Sequence, residues 1–304
     1  MAPAFRIGSI EVHRLDDGPF WLDGGQMFGI VPKVLWSKEC PVDADNRMAM
    51  ACNCYLLISG GRRTLVDAGL GRDWDDKSRR IYGVDASAPT LLDRLGALGL
   101  GPGDIDRVLL THLHFDHCGW ATVPDGSGGH RPTFPNAEHL VHRLEWDDAH
   151  DPEARGAASY FDRLYDPLKA AGQLRLLEGG PEFALGQGLE ALVTGGHTRG
   201  HLAWMLESQG HRAIGLADLC PLAAHRRERW LTAFDLYPVE ALAVKRRLLG
   251  AAEAGNWAVF LNHEPDRPAR RPVRRSAHLD LDPLEAGIQC STADRADSDA
   301  ARLT

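Results

Sequence analysis

The sequence lacks a long apolar run. Its longest nearly uncharged stretch, Met48 to Ile58, is about half the roughly 20 residues that a membrane helix needs, and it contains Asn53. A membrane span is therefore excluded. The start, MAPAFRIGSIEVHRL, lacks the continuous apolar segment of a secretory signal, because Arg6, Glu11, His13 and Arg14 interrupt it, so the chain is expected to be cytoplasmic. Basic charge is short as well: 34 Lys and Arg against 42 Asp and Glu leave a net charge of −8, the wrong sign for neutralising phosphate backbones. Nucleic acid is not an expected partner. The six cysteines, Cys40, Cys52, Cys54, Cys118, Cys220 and Cys290, have no framework spacing, as expected of thiols kept reduced. Cys52 and Cys54 read as small buried hydrophobes in an apolar run. Internal repeats and low-complexity blocks are absent.

What is present is the composition of a soluble globular protein, 44% hydrophobic and 25% charged over 304 residues. Strands and helices alternate along it. Ala51 to Ile58, the Gly60 and Gly61 turn and Thr64 to Val66 predict a hairpin that leaves Asp67 at a strand end. Leu91, Leu92, Leu95 and Leu98 predict a helix over 90–98, stopped by Gly99, Gly101, Pro102 and Gly103. Strands are expected at 107–111, 138–141, 189–194, 204–206, 213–216 and 257–261, with helical regions at 146–171 and 239–253. We assign residues 1–280 to a single domain and 281–304 to a C-terminal tail that is partly disordered.

Two segments fall outside this pattern. GGQMFGIVPKVLW carries Met27, Phe28, Ile30, Val31, Val34, Leu35 and Trp36 too irregularly for one helix face, and reads either as a lid or homodimer contact or as plain core. Arg267, Arg270, Arg271, Arg274 and Arg275, beside Pro268 and Pro272, read as a solvated loop.

The chemistry concentrates after the strand at 107–111. THLHFDHCGW offers His112, His114, Asp116 and His117 within six positions of looped backbone, so one loop can serve two metals. Imidazole and carboxylate together suit zinc, iron, manganese or cobalt, and the lack of thiolate ligands argues against a structural zinc knot. Four ligands do not close two coordination spheres. Three later residues follow apolar strands in the same way: His197 in GGHTRGH, Asp218 in GLADLC and His263 in FLNHEP.

Taken in series, these motifs resemble the metallo-β-lactamase superfamily. THLHFDH is similar to its HxHxDH, Asp67 in LVDAGLG to its earlier strand-end aspartate, and GGHTRGH, Asp218 and His263 to its remaining motifs in order. The resemblance implies an α/β (α+β) fold built as a four-layer αββα sandwich, with these loops at one edge. It implies two divalent metal ions, zinc foremost: one held by His112, His114, His197 and Asp218, the other by Asp116, His117, His263 and the shared Asp218. Asp67 would orient a ligand or the nucleophilic water, and His201 would support its turn.

Within the superfamily the chain looks most like the quorum-quenching N-acyl homoserine lactonases, with methyl parathion hydrolase in the same neighbourhood, on its HLHFDH, GHTRGH, MFGIVPKVLW and PNAEHLVHRLEW segments. The implied activity is hydrolysis of a small-molecule lactone or ester by a metal-bound hydroxide, since coordination brings the pKa of water from about 16 to about 7. Asp116 and Asp218 would be catalytic, and Met27, Phe28, Ile30 and Trp36 would line an acyl groove. Thioesterase, aryl esterase, β-lactamase and organophosphate hydrolase are the alternatives on the same site, and a mononuclear iron sulfur dioxygenase the alternative in another class. One departure stands out: some lactonases carry a tyrosine shortly after the bridging aspartate, whereas Asp218 is followed by Leu219, Cys220 and Pro221.

Overall fold

The computed structural model describes residues 5–276 and 278–285. Two seven-stranded sheets lie face to face. The first runs, in spatial order, Phe5–Ile7, Ile10–Asp16, Asn53–Ser59, Arg62–Val66, Arg107–Leu109, Glu138–His142 and Leu174–Leu177; the second Glu182–Gly186, Leu189–Val193, Leu202–Ser208, His211–Gly215, Ala258–Phe260, Ala269–Arg275 and His278–Pro283. Alternation along each strand builds the layers. In Asn53–Ser59, Tyr55 and Leu57 turn inward to meet Trp204, Leu206 and Phe260 of the second sheet, while Cys54 and Leu56 turn outward under the helices. Leu91–Ala97 and Arg143–His150 cover the outer face of the first sheet through Leu91, Leu95 and Trp146. Pro238–Ala254 covers the second with Ala241, Leu248, Leu249 and Ala252 against Ile214 and Val259. The architecture is the expected αββα sandwich.

The helix read over 90–98 is Leu91–Ala97, opened by a capping box in which Thr90 and Asp93 satisfy each other's backbone N–H. Three segments differ from the reading of the sequence. The helical region at 146–171 is two short α-helices, Arg143–His150 and Asp166–Ala170, with 3-10 turns at Ala157–Ser159 and Asp162–Leu164 between them, because Asp151 leaves helical geometry just before Pro152. Four of the five clustered arginines, Arg270, Arg271, Arg274 and Arg275, lie in a strand, Ala269–Arg275, with Arg267 in the loop before it, and Glu253, Glu264, Asp280 and Asp282 face the strand's arginines. GGQMFGIVPKVLW folds as two short helices, Gly24–Phe28 and Lys33–Trp36, each too brief to show a period; Asp23 caps the first by accepting the Gly25 and Gln26 N–H groups. The strand His278–Pro283 runs across the boundary expected at 280, with Leu281 and Leu284 buried, and 286–304 and Cys290 lie outside the described residues. Among the described residues no helix is long and apolar enough to cross a membrane.

Three parallel pairings position the site: Arg62–Val66 with Arg107–Leu109, Arg107–Leu109 with Glu138–His142, and His211–Gly215 with Ala258–Phe260. Parallel strands end at the same edge, so the loops after them converge there. The Leu202 N–H donates to Thr111 O and fastens the edges of the two sheets together.

Candidate metal centre

Seven ligand-type side chains meet at this edge in two groups: His112, His114, His197 and Asp218, and Asp116, His117 and His263, with the donor atoms of each group within 4.8 Å of one another. All but Asp218 are buried, and Asp218 is nearly so. Hydrogen bonding on the far side of each ring decides which nitrogen faces the centre. His263 Nδ1 lies 2.9 Å from the carbonyl of Ala51, which can only accept, so Nδ1 carries the proton. His117 Nδ1 donates to Asp67 Oδ2 at 2.9 Å and His197 Nδ1 to Asp235 Oδ1 at 2.9 Å. Thr111 donates its hydroxyl to Asp67 and accepts from His112 Nδ1 at 3.1 Å.

The inward nitrogens are therefore lone-pair donors crowded together. Nε2 of His117 and Nε2 of His263 are 3.1 Å apart, and His197 Nε2 is 3.2 Å from His114 Nδ1. His112 Nε2 and His114 Nε2 are buried with no hydrogen-bond partner. Lone pairs facing one another in a dry interior repel unless a cation lies between them, so this donor set fits metal ions. Asp218 faces both groups. Its Oδ1 is 3.0 Å from His263 Nε2 and 3.2 Å from His117 Nε2, while its Oδ2 is 3.4 Å from His197 Nε2 and 3.9 Å from His112 Nε2.

The local field favours positive charge at the second group. Burial pulls the His117 pKa down, but Asp218, Asp67 and Asp116 outweigh it and hold it well above the usual value. His263 is likewise raised against burial by Asp218 and Asp116, and His197 by Asp218 and Asp235. His112 and His114 go the other way: burial and then neighbouring imidazoles drive both well below the usual value. Burial opposes the charge on Asp218, yet His117, His263 and His197 keep its carboxyl well below the ordinary range.

Around the ligands sits a set of anchors. Asp67 follows the strand Arg62–Val66 in left-handed backbone, φ 58°, and accepts from Thr111 N, Thr111 Oγ1, His117 Nδ1 and Asn262 Nδ2. His201 uses both nitrogens elsewhere, Nδ1 on Thr194 Oγ1 at 2.5 Å and Nε2 accepting the Asp218 N–H at 3.2 Å, so it steadies Asp218 rather than pointing a free lone pair inward. Four anchors escape a reading of the sequence: Asp235, Asn262, Cys52, whose thiol donates to the Asp116 carbonyl at 3.0 Å, and Glu145. Glu145, fully buried, accepts the Leu113 N–H at 2.9 Å, the Tyr160 hydroxyl at 3.1 Å and the Thr198 hydroxyl. Leu113 separates His112 from His114 and Thr198 follows His197, so one carboxylate ties both loops of the first group. Gly200 permits this, because a Cβ there would lie 2.1 Å from Glu145 N. Only Asn262, next to His263, had any signal in one dimension.

A cleft opens onto Asp116, Asp218, His114 and His263, walled by Leu22, Met27, Tyr82, Phe115, Thr232 and Phe234. Met27 lies on its wall. Phe28 and Trp36 do not: both are buried behind it, Phe28 stacked between Trp36 at 5.0 Å and His225 at 4.9 Å. Ile30 is 99% exposed and is no part of the cleft lining. The helical turns explain the split, since they send Met27 to the cleft, Phe28 and Trp36 to the core and Ile30 to solvent.

Residues 47–263, more than two thirds of the chain and all seven ligand-type positions, match the family model described as Metallo-beta-lactamase superfamily. The N-acyl homoserine lactonase AttM of Rhizobium radiobacter is 27% identical over 225 residues, covering 70% of this chain and 81% of its own length. Among solved structures, a probable metal-dependent hydrolase from Staphylococcus aureus has a TM-score of 0.84 at 31% identity, over 93% of this chain and 100% of its own. AidC, a dizinc quorum-quenching lactonase solved in complex with a product, has a TM-score of 0.76 at 20% identity, over 93% of this chain and 97% of its own, a likeness of fold.

Proposed function

The chain belongs to the metallo-β-lactamase superfamily, and from that premise we propose that it is a binuclear metal-dependent hydrolase that opens lactones, N-acyl homoserine lactones foremost. The observation that carries this reading is Asp218, whose two oxygens face two separate groups of inward lone pairs. His112, His114, His197 and Asp218 would hold one divalent cation, and Asp116, His117 and His263, with Asp218 facing them, the other. Bound there, a divalent ion such as zinc would supply a nucleophile at neutral pH and Lewis acidity toward an ester carbonyl. Asp67, Asp235 and the Ala51 carbonyl keep the rings in the tautomer that points Nε2 inward. Asp116, on the cleft wall, accepts the nucleophile's proton and returns it to the leaving alkoxide.

The walls support a neutral, partly apolar substrate. Among the described residues Leu22, Met27, Phe115 and Phe234 line the cleft and no lysine or arginine does, so away from the metal positions its walls carry no cationic side chain for an anionic substrate. The resemblance to a curated lactonase points the same way. The test is elemental analysis together with rates on an acyl homoserine lactone, an aryl ester, a β-lactam and a phosphotriester. About two metals per chain and a preference for the lactone are expected. Full activity in metal-free protein would overturn the metallohydrolase reading, and a lactone rate no better than that of the aryl ester would overturn the substrate.

A further inference from the structure

Hydrolysis of an ester places negative charge on the former carbonyl oxygen, and hydrogen-bond donors aimed at that oxygen are among the largest contributors to rate. The cleft offers few. Its histidines belong to the ligand groups, and it has no lysine, arginine or tryptophan, so the candidate side-chain donors are Gln26, Tyr82, Ser159 and Thr232. A neutral phenol is a stronger acid than an amide or an aliphatic hydroxyl and makes the stronger donor to an oxyanion. Of the five tyrosines, four are spoken for or misplaced. Tyr55 donates to Leu261 O at 2.7 Å, Tyr160 to Glu145 at 3.1 Å and Tyr165 to Asp162 at 2.8 Å, while Tyr237 precedes the helix Pro238–Ala254 and does not line the cleft.

Tyr82 is the one left. It lies on the cleft wall, half-buried, and its hydroxyl donates to no protein group among the described residues. Its ring is held edge-on to Trp74 at 5.6 Å and against Phe115 at 4.7 Å, and Phe115 sits between His114 and Asp116 in the chain. Its backbone is tied at both ends, Tyr82 N to Ser78 O at 2.9 Å and Trp21 N to Tyr82 O at 2.7 Å. The side chain is thus preorganised and its donor unspent. We propose that Tyr82 is a catalytic residue that donates a hydrogen bond from its hydroxyl to the oxyanion formed on the substrate carbonyl, the proton staying on the phenol. Burial, and then the charge of Asp116, push the phenol above its ordinary pKa, so it stays protonated at neutral pH. The role comes from the segment between Asp67 and the THLHFDH motif, since none of Leu219, Cys220 and Pro221 after Asp218 carries a comparable donor.

This inference rests on the hydrolase reading, and the test separates the two. Metal-loaded wild-type protein and Tyr82→Phe are compared in lactone hydrolysis, in metal content, in melting temperature and in affinity for an alkyl methylphosphonate, whose charged oxygens mimic the tetrahedral oxyanion. The variant should lose about 10²-fold in kcat with KM unchanged. It should bind the phosphonate correspondingly more weakly, and keep its metals and its melting temperature. A Tyr82→Phe protein with wild-type kcat and phosphonate affinity overturns the proposal while leaving the hydrolase reading intact. So does one that sheds metal or melts early, since that marks a structural role. Wild-type protein that hydrolyses neither lactone nor ester overturns both.

Discussion

Replacing Glu145 with alanine tests whether one buried carboxylate holds the first metal group together. The change strands three donors, the Leu113 N–H and the hydroxyls of Tyr160 and Thr198, in a site with no exposure. At ~1–3 kcal/mol for each buried unsatisfied group, the gross loss is about 3–9 kcal/mol. Part of this is returned, because burial pushes the Glu145 carboxyl above its ordinary pKa and its charge carries a desolvation cost that alanine does not. A net loss of about 3 kcal/mol is expected, which for a domain of this size lowers Tm by roughly 6–12 °C. The more diagnostic effect is on metal. Leu113 and Thr198 adjoin His112, His114 and His197, so the first ion should bind about 10–100-fold more weakly, while the second, held by Asp116, His117 and His263, should bind as before. Glu145→Gln keeps one accepting oxygen and should fall between. Thermal melts of metal-free and metal-loaded protein, with a chelator competition titration that resolves the two ions, give both numbers. A lowered Tm with both affinities unchanged would reduce Glu145 to a packing residue, and no change in either would refute the hydrogen-bond reasoning.

Asp218→Ala should empty or weaken both metal positions, whereas His201→Ala should retain both metals and lose only part of the activity, because Asp218 faces both groups and His201 supports it from behind; metal content and residual rate check this. His139, in the strand Glu138–His142, is buried, and burial, only partly opposed by the backbone of Ala137 and Gln173, lowers its pKa to about 4. A histidine depressed from about 6.5 in the unfolded chain contributes stability that is fully present above that value and lost as pH falls toward 4, about 3 kcal/mol in all. His139→Leu should accordingly flatten denaturation midpoints between pH 6.5 and 4, and an unchanged acid limb would contradict the burial argument. Each methylene buried on the cleft wall is worth about 0.8 kcal/mol, so lactone affinity should rise with acyl length and Phe234→Ala should flatten that rise, with Phe28→Ala acting on stability instead; KM across an acyl series measures it.

The seven side chains that cluster at the sheet edge stood out in the sequence because each is a metal-binding residue type placed at or just past an apolar strand, a pattern that needs only local order to be visible. The hairpin before Asp67 and the helix Leu91–Ala97 were legible for the same reason: hydrophobic period and turn residues lie within a few positions of one another. Tertiary structure alone decided the rest. The two oxygens of Asp218 facing different groups, the Asp235, Asn262 and Glu145 anchors, and the division of Met27 from Phe28 and Trp36 depend on contacts between residues 32 to 195 positions apart or on turns shorter than one hydrophobic period. The strand Ala269–Arg275 read as a solvated loop because its charges mask any hydrophobic period, and the pairing of its arginines with Glu253, Glu264 and Asp280 is set by strand register and packing. A linear sequence records periodicity and residue chemistry, but the direction of a side chain at a packed junction is set by whichever distant groups share its hydrogen bonds and exclude its water.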